Sequence, residues 1–134
     1  MGSAGLMKYL LDTHAVLWIA ESSPRLSSKV RTLAGGADAD DLGIAAINLL
    51  EIARKAHTGE IDLQPDAATW LDDLGHRFRI LPLTPKIAWR SVQLNWPDKD
   101  PADRLICATA LEHKLTLITH DQEIRRWAGV AVLW

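Results

Sequence analysis

Four acidic residues fall where a parallel α/β protein places its functional groups: Asp12, Glu51, Asp103 and Asp121. Asp12 ends a short apolar run over residues 7–11 that predicts a buried strand, and Asp121 follows a second such run over 115–118. Glu51 and Asp103 lie in the first turns of two predicted helices. Because sites in open α/β sheets form beyond the carboxyl ends of the strands, we expect all four at one rim of the sheet.

Such a group of carboxylates needs a counter-charge. Two carboxylates about 5 Å apart repel by roughly 3 kcal/mol at an effective dielectric constant near 20, so a folded protein keeps four only if protons or a cation neutralise them. Oxygen ligands suit Mg²⁺ or Mn²⁺, which also bind substrate phosphates. An ion held there would polarise a phosphodiester and lower the pKa of a bound water, and this is the chemistry of phosphodiester hydrolysis.

Three of the acids also have a purely structural interpretation. Glu51 has capping-box spacing from Asn48 and ion-pair spacing to Lys55. Asp103 could stabilise a helix start, and Asp121 could cap the last helix. The full set argues for a site more strongly than any one member.

The elements that would position these acids alternate between strands and helices. Strands are predicted over residues 7–11, 42–46, 80–83 and 115–118, with an edge strand over 130–133. Helices are predicted over 13–20, 26–33, 47–57, 65–78, 85–94 and 101–113, with a short one ending at Trp127 and a loop over 38–41. This order predicts an α/β fold with a central, mostly parallel sheet of four to five strands and helices on both faces.

The helix that begins at Pro101 carries the clearest local signals. Asp100 is a good N-cap, Pro101 suits the first helical position, and Asp103 lies in the first turn. The residues that follow are apolar or small on nearly every side, so we expect this helix to be buried nearly all round.

Length and composition limit the number of domains and the classes of protein that this chain can belong to. The 134 residues are a single-domain length, and a net charge of -2 provides no basic footprint for duplex DNA. Cys107 is the only cysteine, which excludes an intramolecular disulfide and fits a reducing, cytoplasmic setting. The N-terminal apolar run is too short to span a bilayer. Residues 1–6 are interpreted as an extension ahead of a natural start at Met7, so one domain is predicted over 7–134.

Four segments carry a family resemblance: LLDTH at 10–14, INLLEIA at 47–53, DPADRLICATA at 100–110 and LITHD at 117–121. In this order and at these separations they resemble PIN-domain ribonucleases and, more narrowly, VapC-type toxins of bacterial and archaeal toxin–antitoxin pairs. The resemblance runs from about Met7 to the C-terminus. In and just before the second segment, Asn48 and Ala45 stand where family members often have serines, so a hydroxyl contact to metal-bound water would be missing.

The resemblance implies a function and its residues. Metal-binding acids fall on Asp12, Glu51, Asp103 and Asp121, with support from Thr13, Thr119 and the nearby Asp100. It also implies Mg²⁺ or Mn²⁺, endonucleolytic RNA cleavage that inhibits translation, a homodimer and a cognate VapB-type antitoxin. The antitoxin would bind over the site, with Trp18 and Leu26 forming part of its groove.

Several side chains are candidates for contact with RNA. Cations near the acidic rim predict phosphate contacts: Arg54, Lys55, Lys99 and Arg104. Arg104 could instead brace Asp100 or Glu51. Trp96, in a proline-containing turn, is predicted to stack on a base, whereas helical patterns place Trp18, Trp70 and Trp89 in the core or at a dimer interface.

Two other functions stay open at this point. One is a catalytically silent PIN-like module that binds RNA or protein. The other is a phosphatase-type enzyme in which Asp12 becomes phosphorylated, although such enzymes have a second aspartate two residues later, where this chain has His14.

Overall fold

The computed structural model describes residues 7–36, 41–97, 100–127 and 129–134. Five strands of this part form one parallel sheet: β1 (Tyr9–Leu11), β2 (Leu42–Ala45), β3 (Arg79–Leu81), β4 (Thr116–Ile118) and β5 (Val132–Leu133). The strand order is β3-β2-β1-β4-β5, with β1 at the centre. The helices are α1 (Thr13–Ala20), α2 (Ser28–Gly35), α3 (Ala46–His57), α4 (Ala67–Arg77), α5 (Pro85–Gln93), α6 (Pro101–His113) and α7 (Gln122–Trp127).

Alternate strand residues supply two separate cores. Leu11 and Ile118 face the core that contains α1, α2, α3 and α4, whereas Leu10 and Leu117 face the core that contains α6 and α7. The period of two in a strand sends neighbouring side chains to opposite faces, so each short apolar strand is buried on both. The predicted α/β fold, with a parallel sheet and helices on both faces, is confirmed.

Two helices begin two residues after their predicted starts because side chains cap them later. The Oγ of Ser27 accepts a hydrogen bond from the Val30 backbone N–H at 3.2 Å, so α2 begins at Ser28 rather than at residue 26. Asp66 caps α4 through Thr69, which places its start after Pro65. The predicted loop over 38–41 lies almost wholly outside the described residues.

The start of α6 follows its local signals. Asp100 is the N-cap, with its Oδ1 accepting from the Ala102 backbone N–H at 2.9 Å, and Pro101 occupies the first helical turn. Residues 106–110 are all buried. Because this buried part holds α6 in the core, the acidic first turn of the helix lies at the rim of the sheet. Within the described part of the chain, no helix is long and apolar enough to cross a membrane.

Candidate functional site

Two adjacent strands deliver two of the acids. Asp12 follows β1 and caps α1, with its Oδ1 accepting from the Ala15 N–H at 2.9 Å. Asp121 comes three residues after the end of β4, and its Oδ1 accepts from the backbone N–H groups of Glu123 and Ile124 at the start of α7. Because β1 and β4 are parallel neighbours, these two carboxylates reach the same edge of the sheet.

Helices α3 and α6 supply the other two acids to the same place. One pocket of about 230 Å³ is lined by all four acids together with Thr13, Asp100, His14, Lys55 and Ile106. We call this the acid pocket. The structure therefore brings together the acids that are scattered over more than a hundred positions of the sequence.

Thr119 holds the Asp12 carboxylate in place. Its hydroxyl accepts a hydrogen bond from the Asp121 backbone N–H at 3.0 Å and donates one to Asp12 Oδ2. Thr119 is fully buried, so water does not compete for this contact. With Ala15 on the other oxygen, both oxygens of Asp12 accept hydrogen bonds from the protein.

Thr13 does the same for Glu51, with help from Asn48. The Asn48 amide nitrogen donates to the Thr13 hydroxyl at 3.0 Å, and that hydroxyl donates to Glu51 Oε1. The Asn48 carbonyl oxygen accepts from the Ala45 N–H at 2.8 Å. Asn48 is fully buried. The protein tolerates this burial because the amide nitrogen and the carbonyl oxygen of the side chain each have a hydrogen-bond partner.

This role of Asn48 was not predicted from the sequence, in which Asn48 and Glu51 have the spacing of a capping box. In the structure Ala45 is the N-cap residue, and Asn48 lies three positions into the helix. The signal in the sequence is a polar residue on the buried face of α3, which must find partners there.

Burial dominates the electrostatics of Asp12. The side chain is 8% exposed, and this burial raises its pKa above the ordinary value. Hydrogen bonds from Thr119 and Ala15 and the charge of His14 act in the opposite direction, while Asp121 raises the pKa further. A carboxylate that is costly to ionise is one that gains strongly from a bound cation.

The donor set fits a hard divalent cation. Within the described residues, no three His, Cys, Asp or Glu side chains stand close enough to form a ready cage for a metal. Mg²⁺, however, keeps several waters and takes only one or two carboxylates directly. Oxygen atoms around a pocket of about 230 Å³ leave room for a hydrated ion.

Arg104 points away from the acid pocket. Its guanidinium donates to the backbone carbonyls of Ser91, Leu94 and Trp96 at 2.7–2.8 Å, around the C-terminal end of α5. The prediction that it contacts phosphate is therefore replaced by a structural role. Arg104 fastens the turn that leads into α6.

The other predicted RNA contacts lie in different settings. Lys55 lines the acid pocket, with its Nζ 3.3 Å from Glu60 Oε2, and Arg54 is exposed beside it on α3. Lys99 lies outside the described residues. The predicted contacts of Arg54 and Lys55 with RNA phosphates stay predictions.

The prediction for Trp96 is wrong. This side chain is 7% exposed and stacks on Trp127 with ring centroids 5.0 Å apart, inside the core that contains α6. Trp18 and Trp70 pack partly buried against the other core, as expected, whereas Trp89 is 66% exposed.

Comparisons with known proteins agree with this architecture. The PIN-domain family model matches residues 9–130. The chain is 38% identical over 118 residues to ribonuclease VapC22 of Mycobacterium tuberculosis, which covers 87% of this chain and 88% of that protein.

Solved structures share the fold. DNA-bound VapBC from Salmonella typhimurium matches with a TM-score of 0.73 and 19% identity, covering 96% of this chain and 98% of that one. FitAcB from Neisseria gonorrhoeae matches with a TM-score of 0.71 and 24% identity, over 94% and 96% of the two chains. By its sequence match and its fold together, this chain belongs to the PIN-domain family and is a homologue of ribonuclease VapC22.

Proposed function

We propose that this protein is a metal-dependent endoribonuclease of the VapC type. The observation that carries the proposal is the convergence of four carboxylates on one pocket: Asp12, Glu51, Asp103 and Asp121. Two of them accept hydrogen bonds from buried threonine hydroxyls, which fix the orientation of these carboxylates. PIN-domain ribonucleases depend in general on divalent metal, and in this chain we assign Mg²⁺ or Mn²⁺ to these four acids, with Asp100 at the edge of the site.

The protein's own groups would hold the reacting atoms in place. Thr119 and Thr13 aim Asp12 and Glu51 into the acid pocket, so that these oxygens need no reorganisation when an ion binds. A bound divalent ion supplies Lewis-acid polarisation of the phosphodiester and a more acidic water. Arg54 and Lys55, at the open side of α3, would position the RNA backbone by charge.

Phosphorylation of Asp12 is disfavoured by the residue two positions later, because the phosphatases in question have a second aspartate there and this chain has His14. The silent-module alternative predicts no metal-dependent cleavage of RNA, and this distinguishes it from the nuclease.

We expect Mn²⁺ to raise the melting temperature of the protein, because an ion that binds only the folded state stabilises it by mass action. At about 100 times the dissociation constant the gain is roughly 2.7 kcal/mol. Asp103→Ala should lose most of this response, whereas Asp62→Ala, in an exposed loop, should keep it. Thermal melts with Mn²⁺ and with EDTA measure the response of each variant. Equal responses from the two variants would remove Asp103 from the site.

We expect Thr119→Val to lower RNA cleavage by about 10- to 100-fold, since partners that orient metal ligands typically have effects of this size. The change keeps the side-chain shape and removes the hydroxyl between Asp12 and Asp121. The Mn²⁺ concentration for half-maximal cleavage should rise. Thr109→Val is the matched control, because Thr109 is equally buried but bonds only within α6. A Thr119→Val enzyme with normal Mn²⁺ dependence would contradict the assignment.

We propose a VapB-type antitoxin as the regulator of this protein. The proposed substrate is RNA in the cytoplasm, and its cleavage would inhibit translation. A toxin–antitoxin complex from Klebsiella pneumoniae shares this fold, with a TM-score of 0.68 and 22% identity over 95% of this chain and 97% of that one. A pocket of about 230 Å³ between α1, α2 and α4 offers Ile19, Leu26 and Ala34 to an apolar segment. Trp18, predicted to share this groove with Leu26, lines a different pocket.

We propose that the chain forms a homodimer through α5. Trp89 and Val92, one turn apart, are each 66% exposed, and Leu83 just before the helix is 54% exposed. Large apolar side chains grouped in this way mark protein interfaces. Trp89→Glu should convert the dimer to a monomer in light scattering, while Lys86→Glu on the same helix should leave the dimer intact. A Trp89→Glu protein that stays dimeric would exclude this face.

A further inference from the structure

A second pocket adjoins the acid pocket. Its volume is about 290 Å³, and its lining includes the carboxylates of Asp12 and Asp121 together with three rings, those of His14, Trp18 and His120. The two pockets therefore share two of the proposed metal-binding acids. Anything that lay in the second pocket would lie directly beside the reacting phosphate.

The rings form one connected cluster. The centroids of His14 and Trp18 are 5.8 Å apart, and those of Trp18 and His120 are 6.1 Å apart. Trp134 braces the cluster from the C-terminus, at 5.1 Å from His120 and 5.6 Å from Trp18. The Arg25 guanidinium lies 5.5 Å from the Trp18 ring centroid. We call His14, Trp18, His120 and Trp134 the ring cluster.

The planes in the ring cluster are inclined to one another, by 45° to 66°. They are not stacked, in contrast to the buried pair Trp96 and Trp127 at 16°. Because no pair of rings in the cluster is stacked face to face, a flat ligand can still lie against the exposed rings of His14 and His120. His14 and His120 are exposed as well, which leaves this surface accessible from solvent.

We infer that the ring cluster is a base-binding subsite, which takes one unpaired nucleobase of RNA next to the scissile phosphate. This inference rests on the proposed nuclease function and adds to it the residues that hold the base beside the cut. Aromatic faces bind splayed-out bases by stacking, whereas a paired base is unavailable to them. An apolar side chain of a protein partner fits less well, because two acids line the same pocket and such an anchor would desolvate them.

The test uses a labelled single-stranded RNA 12-mer, incubated with the wild-type protein and Mn²⁺. Companion substrates carry an abasic ribose on one side or the other of the cut, or place the cut inside a hairpin stem. The variants are His14→Ala, His120→Ala, His14→Phe and His120→Phe. His113→Ala, exposed at the far end of α6, is the matched control. Binding of the same RNAs is measured with Ca²⁺ by fluorescence anisotropy.

Stacking energies of this kind predict that the alanine variants raise KM by about 10- to 100-fold with little change in kcat. The phenylalanine variants should recover most of the loss, since they keep a flat ring but no metal-binding or proton-transferring nitrogen. One abasic substrate and the hairpin should be poor substrates for the wild type, and should respond little to the alanine changes.

Other outcomes would overturn the inference. Cleavage that is equal in all variants would exclude the subsite and leave the nuclease standing. Alanine and phenylalanine variants that are equally impaired would indicate an imidazole role instead. Variants that cut RNA normally but release the antitoxin would assign the cluster to a protein. If the wild type binds the 12-mer through the rings without cutting it, the subsite stands and the proposed nuclease function fails; if it neither binds nor cuts, both fail.

Discussion

Asp12→Asn is expected to abolish RNA cleavage, by about 10³-fold or more, while the protein stays folded. The change removes a negative charge at the point where strand β1 meets the acid pocket, and charge stabilisation by a metal site is worth several kcal/mol, each 1.36 kcal/mol being tenfold in rate. The asparagine oxygen can still accept from the Ala15 N–H, and its amide can donate to the Thr119 hydroxyl. Cleavage of labelled RNA and circular dichroism measure the two effects.

The pH dependence of stability provides an independent readout for the same variant. Burial raises the pKa of Asp12 in the folded state, so the folded protein favours the protonated carboxyl more than the unfolded chain does. In metal-free buffer the contribution of Asp12 to stability is therefore fully present below the ordinary aspartate pKa and is lost as pH rises through the raised folded value. In EDTA at neutral pH, Asp12→Asn should melt no lower than the wild type, since it removes this cost.

Asp72→Asn is the control for charge removal, because Asp72 is an exposed acid on α4. It should leave cleavage unchanged. Full RNase activity in Asp12→Asn would refute the metal assignment. A cooperative loss of structure in that variant would instead show that Asp12 is needed for folding.

Arg104→Met is expected to lower the free energy of unfolding by on the order of 3 kcal/mol, with a melting temperature about 10 °C lower. The physical reason is that one guanidinium satisfies the carbonyls of Ser91, Leu94 and Trp96, and each acceptor left unpaired costs about 1–3 kcal/mol when buried. Arg104→Lys should recover only part of the loss, because an ammonium lacks the planar fork. Guanidinium unfolding followed by tryptophan fluorescence measures the effect.

Arg90→Met provides the comparison. Arg90 lies on α5 in an exposed pair with Glu112, at 2.8 Å, and such pairs contribute about 0–1 kcal/mol. A wild-type stability for Arg104→Met, together with a raised KM for RNA, would restore the phosphate-contact prediction that the structure replaces.

Local sequence rules account well for the strands and helices and for the position of the acids at the rim of the sheet. Short apolar runs alternating with helical patterns led to a parallel sheet, because a strand buried on both faces is apolar throughout. A carboxylate directly after such a run has no reason to be there from strand propensity, and Asp12 marked the rim for that reason. The start of α6 needed only Asp100, Pro101 and the helix dipole.

Local rules failed for side chains whose direction depends on a neighbouring element. Arg104 follows Asp103 in sequence, but successive helix residues point about 100° apart, so one faces the acid pocket and the other the end of α5. Trp96 is in a turn that would be exposed if α7 did not cover it with Trp127. The residues adjacent to Arg104 and Trp96 in sequence do not determine the direction of either side chain.

The sequence by itself therefore determined the fold class, the family and the common rim of the four acids, because periodicity, capping and strand ends act over a few residues. The resemblance already named Thr13 and Thr119 as supporting residues, but only the tertiary structure decided which acid each of them orients, that Asn48 takes part, and what lies beside the acids. Thr119 reaches Asp12 across 107 positions, and Trp134 meets Trp18 only after β5 has joined the sheet. Contacts of that range exist because strands far apart in the chain become neighbours in one sheet.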